Sequence, residues 1–145
     1  MNINRIEAVI YGVDDIDAGI RYFTDWGLEA ADTARNGATF QTAENQLIYL
    51  RPRGDTSLPA APDGDRSTAR EVLWGVDSKT TLEAIAAELS KDRDVRQDTD
   101  GTLHSHDENG FGIGFRLEDR QISSAEPSAV NFNERVARLN RDVVT

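Results

Sequence analysis

The eight residues Glu71–Ser78, EVLWGVDS, decide how this chain is read, because their pattern occurs twice. Ala8–Asp15 reads AVIYGVDD, 63 positions earlier (71 − 8), with valine, a branched aliphatic, a large aromatic and Gly-Val-Asp in the same order. The residues after each copy repeat as well. After the first comes DIDAGIRYFTDWG, in which Ile16, Ile20 and Phe23 share one helical face and Gly27 stands where a helix stops. After the second comes KTTLEAIAAELSKD, with Leu82, Ile85, Ala86 and Leu89 as the apolar stripe and Thr80 with Glu83 as a capping box. Three strand-like runs then succeed each helix. They are 30–33, 38–42 and 46–51 in the first half, and 95–98, 102–106 and 111–117 in the second. Each half is a βαβββ unit, so the expected class is α+β, two paired modules forming a curved mixed sheet around a cavity.

The modules span 5–52 and 70–117. The segment 53–69, rich in Pro, Gly, Asp and Ser, reads as a surface linker, and 118–145 reads as an arm with a short helix near its end. Side chains alternate across a strand. The bulky set Val9, Tyr11, Val13 and its copy Val72, Trp74, Val76 therefore lie under the helices, and Tyr22 and Trp26 of the first helix are read as core too. Ile10, Leu47, Tyr49, Arg51, Glu71 and Leu73 fall on the opposite, free face. In NGFGIGF, Asn109–Phe115, every second residue of the last strand is glycine, so Gly112 and Gly114 leave that face bare and widen the cavity.

The net charge of −10 argues against nucleic acid and anionic lipid as partners and mildly favours a cationic ligand. No apolar run is long enough to span a bilayer. The chain has no cysteine and its first residues do not resemble a signal peptide, which fits a cytoplasmic protein.

Paired βαβββ units beginning VIYGVDDI and VLWGVDSK and ending HDENGFGIGF resemble the vicinal oxygen chelate superfamily. That group holds glyoxalases, extradiol dioxygenases and bleomycin-resistance proteins. The resemblance covers residues 5–117, and NFNERVARLN resembles the passage from a first such domain into a second. It implies a homodimer. It also implies a divalent metal gripped from four places, which in this chain are Ala8, Tyr49 (or Arg51), Glu71 and Gly114. Of these only Glu71 can bind an ion, whereas a catalytic iron or zinc takes about three protein ligands.

The resulting expectation is a metal-free domain that binds a small organic ligand, with Ile10, Leu47, Tyr49, Arg51, Glu71, Leu73, Gly112 and Gly114 lining the site. Arg51 either pairs with Glu71, the favoured reading, or holds an anionic ligand group through its fork of donors. A dioxygenase or glyoxalase-type lyase using Fe, Mn or Zn on Glu71, His104 and His106, with Asp107 in reserve, is the alternative. The same three residues are the candidates for catalysis, His104 and His106 as general bases. Otherwise the two histidines simply meet water. A non-catalytic dimerisation or support domain is the third reading. The charged run KDRDVRQDTD is taken as a solvated helix end and hairpin.

Overall fold

The computed structural model describes residues 2–34, 36–61 and 66–122. The helix expected near the end of the arm lies outside them. Along the chain the elements are β1 (Ile3–Val13), α1 (Ile16–Asp25), β2 (Glu29–Ala34), β3 (Gly37–Gln41), β4 (Leu47–Pro52), β5 (Thr68–Val76), α2 (Lys79–Leu89), β6 (Arg96–Gln97), β7 (Leu103–His106) and β8 (Gly112–Leu117). This is βαβββ twice. The second module begins two residues earlier than expected, at Thr68.

All eight strands form one sheet in the order β2-β3-β4-β1-β5-β8-β7-β6. The repeated strands β1 and β5 meet antiparallel at its centre, with Ile10 opposite Glu71 and Ala8 opposite Leu73. Each is flanked on its other side by its own module's closing strand, running parallel: β4 beside β1 and β8 beside β5.

Each helix starts where a side chain takes an orphan amide. Asp15 accepts from the Ala18 amide at 2.9 Å to begin α1, and Gly27, at φ +89°, lies just past its end. For α2 the cap is Ser78, whose Oγ accepts from the Thr81 amide at 3.2 Å. The Thr80–Glu83 capping box does not form, because Ser78 is already extended and the helix has begun by Lys79.

The helices cover one face of the sheet. Under α1, Ile16, Ile20 and Phe23 pack on Tyr11, Val13, Ala38, Phe40 and Leu50. Under α2, Leu82, Ile85 and Leu89 pack on Trp74, Val76, Leu103 and Phe115. Tyr11 and Trp74 are therefore core, as their equivalent places in the repeat suggested. Tyr22 and Trp26 are not: they are exposed, with ring centroids 5.6 Å apart on the outer side of the helix. At roughly 100° per residue, both lie about 90° or more from the stripe that Ile16, Ile20 and Phe23 turn inward. Among the described residues no helix is long and apolar enough to cross a membrane.

The segment after β4 is not simply a surface linker. The buried Arg70 donates from Nη1 to the Pro59 carbonyl at 2.8 Å and from Nη2 to the Arg53 carbonyl at 3.1 Å. This draws residues 53–59 across the open face of the sheet, where Leu58 lies over Gly12 and Pro59 over Gly112. Charge-assisted bonds from a buried guanidinium to two carbonyls are strong enough to hold such a strap in place.

Candidate ligand cavity

The face of the sheet away from the helices is concave, and the register sets what lies across it. One row runs Tyr49, Ile10, Glu71, Gly112, and the next runs Leu47, Ala8, Leu73, Gly114, His104. On β8 the bare positions let neighbours come together. A Cβ on Gly114 would meet Leu73 Cδ2 at 2.3 Å, the Leu103 carbonyl at 2.9 Å and Glu71 Oε1 at 3.1 Å. One on Gly112 would meet the Arg70 carbonyl at 2.5 Å and Pro59 Cγ at 2.8 Å. The glycines therefore do not widen an empty space. They clear a path for this chain's own groups across β8.

Glu71 takes that path. From β5 its Oε1 reaches across the glycine strand to His104 Nδ1 on β7, at 2.7 Å. His104 Nε2 lies 3.1 Å from Asp98 Oδ2, and Asp98 in turn pairs with Arg96. The expected Arg51–Glu71 pair is absent, because β1 stands between the strands that carry them. His104 is bonded to one carboxylate and near another. Its pKa is raised, first by the hydrogen bond to Glu71 and then by the charges of Glu71 and Asp98, against opposition from burial and Arg96. Glu71 itself is buried, with no other protein group on its Oε2 among the described residues.

Arg51, at the other end of the concave face, is anchored by its backbone neighbours. Its Nη1 donates to the Leu50 carbonyl at 2.9 Å, and the guanidinium lies 5.2 Å from the Tyr49 ring centre. Between these poles is a hollow of about 300 Å³, floored by Ile10, Tyr49 and Leu73 and roofed by Ser57, Leu58 and Pro59. Arg51, Glu71, His104, Arg96, Asp98 and Arg116 supply its polar wall. Of the expected lining residues Leu47, Gly112 and Gly114 lie outside it. Leu47 borders a second hollow of about 660 Å³ towards α2, which shares Asp100, Thr102 and Arg116 with the first.

His106 does not join His104. It is exposed, its Nδ1 facing the Asp107 carbonyl at 3.1 Å, and the Asp107 carboxylate accepts from the amides of Asn109 and Phe111 to close the β7–β8 turn. Among the described residues no group of three or more His, Asp or Glu side chains could hold a metal ion. Glu71 and Asp98 flank opposite nitrogens of one imidazole and so cannot converge on a shared ion.

Two features were not anticipated. Arg96 and Asp98 come from the charged run read as solvated, and they are solvated, yet Arg96 is the register partner of His104 and both border the cavity. The other is a buried ionic cluster at the far end of the concave face. Glu7, fully buried, lies 3.0 Å from Arg5 and 3.4 Å from Arg116, and its side chain fills the space above Gly75. The β1–β5 register slips between Ile6 and Ala8, where Glu7 is left without a partner in the ladder. An alternation rule applied without that slip places Glu7 under the helix.

Solved structures show what this arrangement is similar to. The chain matches an extradiol ring-cleaving dioxygenase from B. fuscum with a TM-score of 0.67 at 15% identity, covering 84% of this chain and 35% of that one. Homoprotocatechuate 2,3-dioxygenase from Arthrobacter globiformis matches with a TM-score of 0.67 at 16% identity, over 84% of this chain and 38% of that one. The fold is that of the vicinal oxygen chelate superfamily. A Mn(II)-bound glyoxalase from Novosphingobium aromaticivorans shares this vicinal oxygen chelate fold, with a TM-score of 0.58 at 21% identity over 78% of this chain and 38% of that one. The chain thus spans little more than a third of the length of these proteins. No protein-family model matches the sequence, and no curated protein matches it. At the four places where the superfamily resemblance implies a metal grip stand Ala8, Tyr49, Glu71 and Gly114. Ala8 and Gly114 offer no donor, and the space above Gly114 is filled by Leu73 and Glu71. These residues do not fit the ion.

Proposed function

We propose that this vicinal-oxygen-chelate domain binds a small organic molecule in its concave cavity without a resident metal. The observation that supports this most is the Glu71–His104 contact at 2.7 Å, since the one carboxylate among the four places of the implied metal grip is engaged by an imidazole. The cavity lies at the lower end of the usual size of small-molecule sites and joins an apolar floor to a wall more polar than most of them have. The absence of cysteine supports a cytoplasmic setting, and the fold resemblance supports a homodimer, which sedimentation velocity checks.

The decisive experiment uses protein purified without a chelating tag and incubated with Mn²⁺, Fe²⁺ or Zn²⁺ before gel filtration. Metal well below one ion per chain is expected. One ion per chain, lost in both Glu71→Ala and His104→Ala, overturns the proposal. That outcome would establish the second reading, a metal-dependent lyase or dioxygenase, which is supported by the Mn(II)-bound glyoxalase of the same fold. A support domain that binds nothing is the third reading, consistent with the chain spanning about a third of the dioxygenases. A thermal-shift screen separates it, since a ligand that binds only the native state raises the melting temperature.

A further inference from the structure

We propose that the ligand of the concave cavity is an organic carboxylate, and that Arg51 seats its anionic group. This rests on the proposed ligand-binding function and goes further by fixing the charge. Chain-wide acidity points the other way, to a cation, but the cavity wall departs from the chain average. In a chain of net charge −10, the arginines Arg5, Arg53, Arg93, Arg96, Arg116 and Arg120 each have a carboxylate within 4.0 Å. Arg51 has none among the described residues, although it lines the cavity. Asp55 feels its charge, but the Asp55 carboxylate accepts from the Ser57 amide and hydroxyl at 2.9 and 2.7 Å.

The acids that share the hollow are matched already. Glu71 holds His104, Asp98 lies between His104 and Arg96, and Asp100 accepts from the Thr102 amide. Of the three arginines that line the hollow, Arg51, Arg96 and Arg116, Arg51 alone has no carboxylate within 4.0 Å among the described residues. Its geometry suits a carboxylate. With Nη1 bound to the Leu50 carbonyl and the plane supported on Tyr49, the Nε–Nη2 edge keeps two parallel donors without a protein partner among the described residues. That edge matches the two oxygens of a carboxylate, and a guanidinium fixed in advance loses little freedom on binding. Leu58 and Pro59 above and Ile10 and Leu73 below leave an apolar slot beside it for the body of the molecule.

The test uses three matched series of small cyclic and aromatic compounds: carboxylates such as benzoate and cyclohexanecarboxylate, their amides, and the corresponding amines. Affinities are measured by calorimetry on wild type, Arg51→Gln and Arg51→Lys. Carboxylates are expected to bind at least tenfold tighter than their amides, with that ratio abolished in Arg51→Gln and partly kept in Arg51→Lys. If Arg51→Gln fails to fold, the wild-type ratio and the lysine variant decide the question. Amides or amines binding as tightly as carboxylates, or an unchanged ratio in Arg51→Gln, overturns the charge assignment and leaves the cavity reading intact. No binding from any series overturns both.

Discussion

Alanine at Gly114 perturbs the path across β8 directly. No left-handed backbone is involved at this position, so the effect is steric. The new methyl would stand 2.3 Å from Leu73 Cδ2, which can rotate away, but also 2.9 Å from the Leu103 carbonyl, which is held in the β7–β8 ladder. Overpacking of this kind costs roughly 1–3 kcal/mol. Loss of glycine freedom in the unfolded chain offsets about 0.4–1 kcal/mol of that. The net loss is centred on about 1.3 kcal/mol, a fall in melting temperature of roughly 4 °C for a domain of this size. Circular dichroism melts of Gly114→Ala and Gly54→Ala make the comparison, because a Cβ on Gly54 meets nothing within 4 Å and its variant should melt at or slightly above wild type. Leu73→Ala alone should cost about 2–4 kcal/mol. The double variant Gly114→Ala/Leu73→Ala should be more stable than the sum of the singles by about 1 kcal/mol, because the methyl then has room. A Gly114→Ala protein that melts with wild type, or strict additivity in the double variant, would refute the reading of β8 as a cleared path.

Removing the carboxylate of Glu7 by Glu7→Ala leaves Arg5 and Arg116 facing each other in a buried site, and should cost about 3–5 kcal/mol, read from urea denaturation. Because the folded pKa of His104 is raised, its contribution to stability is complete below about pH 6.5, the ordinary value, and is lost as pH rises through the folded value. The melting temperature should therefore decline over that interval in wild type, and the decline should shrink in Glu71→Gln. In the same variant, NMR titration of the His104 ring should show its pKa moving down, since the hydrogen bond to Glu71 is the largest cause of the elevation. Arg70→Met should free the strap over the cavity, and proteolysis between residues 53 and 61 should become faster by tenfold or more while the core stays protected.

The duplication made the sheet legible. EVLWGVDS and AVIYGVDD gave both central strands, both helices and the side on which Tyr11 and Trp74 pack, because hydrophobic alternation and helical periodicity are local signals. The cavity face was legible for Ile10, Tyr49, Arg51, Glu71 and Leu73 for the same reason. What failed was everything that depended on distance across the sheet. Arg51 and Glu71 share a face but are kept apart by β1, whereas Glu71 and His104, two strands apart, are joined because β8 has no side chains between them. The charged run holding Arg96 and Asp98 is solvated as read, and only its pairing with β7 brings these two residues to the rim of the cavity. Glu7 was hidden by a register slip, and Tyr22 and Trp26 were assigned by residue type where helical angle was the better guide.

The strap and its fastener belong to different copies of the repeat: residues 53–59 continue from the first module, and Arg70 opens the second. A backbone cut between 61 and 66 would leave two fragments that must recombine along β1 and β5 before any binding site exists. Occupancy by a small molecule would then vary with the product of the fragment concentrations, and the intact polypeptide is what makes it independent of dilution.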